Sequence, residues 1–306
     1  MLVTGASGFI GSHVCRRLRE EGADIHGVSR AVRTSPGVRW WQVDLTDADG
    51  VARLVTRIRP DTIYHLAGYP SGSRSLDAVL PSLKDNLVAA VNVLTAAARS
   101  ECGLVLLAGS LEEPEPVAGE PVPTSPYAAA KHAAGSFGRM FVALNDLPVI
   151  NLRVFMVYGP GQADETKLVP YVITSLLRGE PPKLSSGRRP VDWVYVKDVA
   201  DAFLTASLRP DLAGETIDVG SGRLVTVRSI VELIADTMGT AVAPEFGALP
   251  DRPLETVRAA DVEQTRDRLG WQLRTSLAEG LFATVAWFKA ELARESSSPL
   301  RSPSAH

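Results

Sequence analysis

Tyr127 and Lys131 stand four residues apart in the run Ser125-Pro126-Tyr127-Ala128-Ala129-Ala130-Lys131. A helix there carries both side chains on one face and pairs a phenol with an ammonium. A free tyrosine, with a pKa of about 10, is a poor base at neutral pH. A nearby positive charge favours the phenolate and makes the group more acidic. Ser110 follows a short apolar run and offers a hydroxyl that can share a hydrogen bond with a reacting oxygen. The three are candidates for moving a proton to or from an oxygen atom. Tyr127 and Lys131 taken alone also describe an ordinary surface helix.

A second candidate lies at the start of the chain. Gly5, Gly8 and Gly11 form GxxGxxG between the apolar Leu2-Val3 and a helical segment. In such a turn the first glycine allows the bend, the second lets a pyrophosphate approach the backbone, and the third lets helix pack on strand. The helix start then offers free N–H groups to phosphate. Where an acidic residue would bind the ribose hydroxyls of NAD, the chain reads Gly27-Val28-Ser29-Arg30. Ser29 removes the acid, and the Arg30 guanidinium suits a phosphate, so the expectation is NADP(H) in preference to NAD. The alternative is that Arg30 is a solvated surface charge. Asp44-Leu45 is either an adenine-binding pair or a strand-end cap.

The elements that must hold these groups alternate. Leu2-Val3, Asp24–Val28, Thr62–His65, Gly103–Leu107 and Val149–Val154 are short apolar runs bounded by turns, as in a parallel sheet buried on both faces. Between them fall helical patterns at Ile10–Glu21, Asp47–Arg57, Leu83–Arg99 and Tyr127–Leu144. The order predicts an α/β doubly wound parallel sheet. Strand one is short, as if a few residues were missing ahead of Leu2. After Tyr158-Gly159-Pro160-Gly161 the alternation breaks, and helices are expected at Leu168–Arg178, Val196–Ser207, Val227–Met238, Ala260–Leu269 and Leu277–Glu291. The reading is a dinucleotide-binding domain over 1–160 and a smaller mixed domain over 161–294, of which about 192–220 packs back on the first. A Ser/Pro-rich, disordered tail is expected over 295–306.

Composition narrows the class. Of 306 residues, 45% are hydrophobic, enough for a sizeable core. With 32 Lys and Arg against 35 Asp and Glu, no basic field favours nucleic acid or a membrane surface. No apolar stretch is long enough to span a bilayer, and MLVTGASGFIG lacks the basic start of a signal peptide. Cys15 and Cys102 have no metal-ligand spacing, so no metal is expected and a cytoplasmic location is the simple reading.

The motifs together resemble the extended short-chain dehydrogenase/reductases, and within them the NAD(P)-dependent nucleotide-sugar epimerase/dehydratase family. The resemblance runs over about residues 1 to 290. It rests on Thr4-Gly5-Ala6-Ser7-Gly8-Phe9-Ile10-Gly11, His65-Leu66-Ala67-Gly68, Asn86, Ser110, the Tyr127/Lys131 segment, Leu152-Arg153-Val154-Phe155, Tyr158-Gly159-Pro160-Gly161, Asp192-Trp193-Val194-Tyr195-Val196-Lys197-Asp198-Val199 and Leu269-Gly270-Trp271. It implies a Rossmann domain followed by a smaller substrate domain that grips a nucleoside-diphosphate sugar. Ser110, Tyr127 and Lys131 become the catalytic set. Gly5, Ser7, Gly8, Phe9, Ile10, Gly11, Ser29, Arg30, Asp44, Leu45, Leu66, Ala67, Gly68, Asn86 and Phe155 become the cofactor's neighbours, with Tyr127 and Lys131. It further implies a homodimer through a four-helix bundle of the Leu83–Arg99 and Tyr127–Leu144 helices, with Ala89-Ala90, Ala96–Ala98, Ala128–Ala130 and Ala133-Ala134 allowing close packing. The alternative for those alanines is packing on the chain's own sheet.

Departures from the family pattern choose among its reactions. Family dehydratases carry an Asp-Glu pair after the serine position, whereas this chain has Leu111-Glu112, which disfavours dehydration. Ser110-Leu111-Glu112 still matches a decarboxylase-like pattern, while Glu112 and Glu113 read equally well as solvated loop charges. Met156 replaces a common asparagine, and Val191 replaces a phosphate-binding arginine. Arg252 matches a later phosphate-binding arginine, with Arg189 and Lys167 as further substrate candidates or ordinary exposed side chains. The expected activity is a nucleotide-sugar 4-ketoreductase using NADPH. A 4-epimerase or decarboxylase with recycled cofactor is the alternative, and a non-catalytic NADP(H)-binding regulator a second one.

Overall fold

The computed structural model describes residues 1–114, 122–253 and 255–297. In chain order the elements are β1 (Leu2–Thr4), α1 (Phe9–Glu20), β2 (His26–Ser29), β3 (Arg39–Gln42), α2 (Ala48–Ile58) and β4 (Thr62–His65). A 3-10 turn at Leu76–Ala78 leads into α3 (Val79–Ser82), a π-helical stretch at Leu83–Val88 and α4 (Ala89–Arg99). Then come β5 (Leu104–Ser110), α5 (Pro126–Asn145), β6 (Val149–Val154), β7 (Met156–Tyr158), α6 (Leu168–Leu177), β8 (Lys183–Leu184), β9 (Pro190–Tyr195), α7 (Val196–Ser207) and β10 (Thr216–Val219). The chain ends with β11 (Leu224–Thr226), α8 (Val227–Met238), β12 (Glu245–Phe246), α9 (Val262–Leu269) and α10 (Leu277–Ser297).

Seven strands form one sheet in the order β10-β6-β5-β4-β1-β2-β3, every adjacent pair parallel. The order reverses beside β1, as a doubly wound sheet requires. Successive strand residues enter opposite layers, following the two-residue period of a strand. Val3, Tyr64, Leu106 and Ile150 pack with Val14 and Leu18 of α1 and Phe203 of α7. Leu2, Ile63, Leu107 and Val149 pack with Leu54 of α2, Leu94 of α4 and Phe141 of α5. Strands β3 and β10 fall outside the five apolar runs of the sequence. β3 is an edge strand, and both its end residues are exposed. Two short sheets, β11-β9-β7 and β12-β8, complete the strands.

The chain divides into two compact units, and neither is a single continuous stretch. The first comprises Met1–Val157, Asp192–Leu224 and Pro253–Arg274; the second comprises Tyr158–Val191, Val225–Arg252 and Thr275–His306. The segment expected at about 192–220 to join the first unit corresponds to Asp192–Leu224, and Pro253–Arg274 joins it as well. Within the first unit the Asp192 motif does structural work. Its buried carboxylate accepts hydrogen bonds from the backbone N–H of Ser221, Gly222 and Ala260 at 2.7, 2.8 and 2.9 Å. Trp271 donates its indole N–H to the Asp198 carbonyl at 3.1 Å. Within the second unit Val172 and Ile173 of α6, Ile230 and Ile234 of α8 and Leu281 and Val285 of α10 are buried. Helix α10 continues through Ser297, correcting the start of the expected tail at 295; residues 298–306 lie outside the described ones.

Among the described residues no helix is long and apolar enough to cross a membrane. No group of metal-ligating side chains is found among them. Ala89, Ala90, Ala96, Ala97, Ala128, Ala130 and Ala134 are all buried within the chain itself. Ala98 and Ala133 are half-buried and Ala129 is exposed, so the chain's own packing takes up only part of these alanine faces.

Candidate active site

The catalytic candidates meet at the C-terminal edge of the sheet. Ser110 is the last residue of β5. Ser125 caps α5, accepting the Ala128 N–H at 3.1 Å, and Pro126 at the first turn fixes the helix start. One turn on, Tyr127 and Lys131 project together, with the Lys131 Nζ 5.8 Å from the centre of the Tyr127 ring. The Ser110 hydroxyl, near Tyr127, favours its ionised form. Lys131 is buried and donates to the Ala108 carbonyl at 2.9 Å. Burial pulls its pKa down to about 8, against the opposing pull of the Glu113 carboxylate.

The phenol departs from expectation. Burial first, then the charges of Glu112 and Glu113, push the Tyr127 pKa above its ordinary value, and the Ser110 hydroxyl only partly opposes them. The ammonium lies over the face of the ring and is tied to a carbonyl. In the chain by itself, Tyr127 is therefore a phenol that keeps its proton, not one acidified by its lysine.

The two glutamates after Ser110 are not alike. Glu112 is half-buried, donates its N–H to Ser110 Oγ at 3.2 Å and accepts the Ser125 hydroxyl at 3.2 Å. Glu113 is buried, which corrects its reading as a solvated loop charge. It accepts the Ser110 backbone N–H at 2.7 Å and the Asn151 side-chain amide at 3.3 Å. Glu113, Asn151 and the Gly109 beneath them escaped the sequence reading. The available signal was an amide inside the apolar run Val149–Val154.

The glycine turn has the geometry a dinucleotide needs. Gly5 sits at φ 68°, and a Cβ there would lie 2.7 Å from the Ala67 nitrogen. A Cβ on Gly11 would collide with the Gly5 carbonyl oxygen. Gly8 caps α1 without a side chain, no acidic residue occupies the first turn, and Ser7 and Gly8 are exposed. The N–H end of α1 is thus open to phosphate, with Phe9 and Ile10 half-buried behind it. These residues fit the group.

Farther along the edge, Ser29 is half-buried and Arg30 is exposed, its guanidinium 3.2 Å from Asp85. Asp44 accepts the Thr46 N–H and hydroxyl, both at 2.9 Å, which is the strand-end cap. The Leu45 carbonyl receives the Asn92 amide. Leu66 and Ala67 are half-buried and Gly68 is exposed at the end of β4. Asn86 is buried with both ends of its amide on the Tyr69 backbone, at 3.0 and 3.2 Å, so it braces the loop after Gly68. Phe155 is buried, with the Arg258 guanidinium 6.0 Å from its ring centre, and Met156 is half-buried beside it. Lys167 and Arg189 are half-buried and Arg252 is exposed; all three belong to the second unit, where Asp251 accepts the Ser186 N–H at 3.0 Å.

Residues 1–220 match the model of the NAD dependent epimerase/dehydratase family. A UDP-glucose 4-epimerase of Mycolicibacterium smegmatis is 33% identical, over 94% of this chain and 98% of its own length. A dTDP-glucose 4,6-dehydratase of Actinoplanes sp. is 29% identical, over 95% and 98%. Among solved structures, the Thermus thermophilus UDP-glucose 4-epimerase in complex with NAD is 30% identical, with a TM-score of 0.82 over 94% of this chain and 98% of that one. MoeE5 in complex with UDP-glucose and NAD is 31% identical, with a TM-score of 0.85 over 95% and 99%.

Proposed function

The chain belongs to the NAD-dependent epimerase/dehydratase family, and from that premise we propose that it is a nucleoside-diphosphate-sugar 4-epimerase. The observation that carries the reading is the grouping of Ser110 at the end of β5 with Tyr127 and Lys131 of α5, the Lys131 Nζ 5.8 Å from the Tyr127 ring centre, and the apolar Leu111 next in the chain. A dehydratase needs an acid and a base beside the sugar, and Leu111 is a buried hydrocarbon where the family's acid stands. The relatives that bind UDP-glucose support a nucleotide sugar as substrate.

A nicotinamide dinucleotide, when bound, supplies the capacity to take a hydride from a sugar carbon and return it. Gly5, Ser7, Gly8 and Gly11 would hold its pyrophosphate, and Lys131 its nicotinamide ribose. The ionised form of Tyr127 takes the proton of the sugar 4-hydroxyl, and the phenol so formed gives it back to the oxygen after the sugar has turned over. Ser110 donates a hydrogen bond to that same oxygen and holds it within reach of the phenol. Lys131 keeps positive charge near the phenol while the proton is away. Arg252, with Arg189 and Lys167, would meet the diphosphate.

The test is incubation of the purified protein with UDP-glucose and related nucleotide sugars. The 4-epimer should accumulate with no net change in dinucleotide redox state. Stoichiometric NADPH consumption on a 4-keto sugar, without epimer formation, sinks this reading. It would favour the second one, a 4-ketoreductase. Two observations favour that alternative: Ser29-Arg30 suits the NADP phosphate, and Tyr127 keeps its proton. A homodimer is also proposed, resting on Leu80, Leu83 and Phe137, which are 61%, 42% and 37% exposed. Light scattering that returns a monomer would reject it.

A further inference from the structure

A buried carboxylate is costly unless hydrogen bonds and opposite charge compensate it. Glu113 is 3% exposed, and the fold around it is shaped to receive it. Its Oε1 takes the Ser110 N–H at 2.7 Å and its Oε2 the Asn151 amide at 3.3 Å. The niche lies over Gly109, where a Cβ would sit 2.5 Å from Glu113 Oε1 and 2.7 Å from Asn151 Oδ1. Gly135 on α5 makes room for the other side of Asn151, whose nitrogen would be 3.2 Å from a Cβ there. The charged and titratable groups facing the niche come from three elements. Lys131 and Tyr127 come from α5, Arg153 from β6, and Glu112 from the loop after β5. Arg153 is itself held 2.8 Å from Asp218 of β10.

We propose that Glu113 is a positioning residue for the Ser110, Tyr127 and Lys131 set. Its carboxyl group clamps the backbone of the serine and, when ionised, directs negative charge toward the phenol and the ammonium. The assignment rests on reading those three residues as the catalytic set, and it concerns a carboxylate that need not touch substrate. Negative charge at this place favours the protonated forms of both Tyr127 and Lys131. Glu113 thereby adds to burial and Glu112 in raising the pH at which Tyr127 changes from proton donor to proton acceptor. Burial pushes the Glu113 carboxyl above the usual range, while the Ser110 N–H, Arg153, Lys131 and Asn151 act to keep it charged.

The experiment is an ultraviolet titration of tyrosinate in dinucleotide-free protein. The spectrum of Tyr127→Phe is subtracted to isolate one phenol, and the measurement is repeated in a Glu113→Gln background. Glutamine keeps an oxygen for the Ser110 N–H and removes the charge. The Tyr127 titration should fall by about one pH unit, the low end of what a neighbouring charge does. The basic limb of kcat should move the same way, with KM for the nucleotide sugar little changed. Glu113→Asp retains the charge, so its phenol should titrate as in the unaltered protein while kcat falls. Superimposable titrations of the Gln variant and the unaltered protein would overturn the proposal. Should the Gln variant fail to fold, the unaltered protein still decides: a Tyr127 that titrates at or below an ordinary tyrosine overturns it. If no nucleotide sugar is turned over yet the phenol moves as stated, the functional reading fails and the assignment of Glu113 stands.

Discussion

The glycine turn and the serine corner lie along the same edge of one parallel sheet, and they are built by opposite means. The turn works by what its residues lack. Gly5 and Gly11 have no Cβ, so the strand, the helix and the end of β4 approach to van der Waals contact and leave backbone N–H groups at the surface. The corner works by what its residues bury. Lys131, Glu113 and Asn151 bring an ammonium, a carboxylate and an amide into a dry layer between β5, β6 and α5. A backbone site is insensitive to pH, whereas a site made of buried ionisable groups has its protonation written into its packing. The difference suits the tasks: holding a constant phosphate charge, and moving a proton.

The sharpest way to break this contrast is Tyr127→Phe. It should lower kcat by about 10²- to 10⁴-fold, as expected for loss of a proton-transfer group, and leave dinucleotide affinity intact by calorimetry. Equal losses in both would mean that turn and corner are not separable.

His65 joins the two regions. It is buried, hydrogen-bonds through Nδ1 to Thr4 Oγ1 at 2.9 Å, and has its pKa pushed down to about 3 by burial and then by Lys131. Because the folded value is depressed, the unfolded chain binds the extra proton first, and stability is lost as pH falls from about 6.5 toward 3. Chemical denaturation should show the unaltered protein losing roughly 3 kcal/mol more between pH 6.5 and 4 than His65→Gln, at about 1.4 kcal/mol per unit. Parallel pH dependences would remove the histidine from the account.

Gly11→Ala sharpens the view of the turn. The added methyl meets the Gly5 carbonyl, so a loss of about 1 to 3 kcal/mol in stability is expected, together with weakened dinucleotide binding. Retained affinity would show that the turn can open without harm. The smallest effect belongs to Arg30→Ala. Removing one exposed guanidinium should weaken NADP binding about tenfold, as for a single charge-assisted contact, and leave NAD unchanged. If neither affinity moves, Arg30 belongs to its ion pair with Asp85 alone.

Sequence reading reached the turn and the corner unequally. The turn occupies seven consecutive residues from Gly5 to Gly11, and the steric demand on each glycine is local, so its pattern was readable. Tyr127 and Lys131 were readable for the same reason, lying one helical turn apart. Glu113 and Asn151 lie 38 residues apart and meet only because β5 and β6 pair side by side. In the sequence each looks like an ordinary polar residue. The alanines of α4 and α5 were visible but ambiguous, because small residues permit close packing against any neighbour, and the folded chain buries most but not all of them.

The sequence by itself determined the doubly wound sheet, since short apolar runs alternating with amphipathic helices have few other ways to bury both faces. It also determined which side chains can carry the chemistry. The tertiary structure alone decided their protonation. Ionisation depends on desolvation and on charges brought close by strand pairing, so the phenol that the sequence presents as acidified keeps its proton in the folded chain, chiefly because it is desolvated.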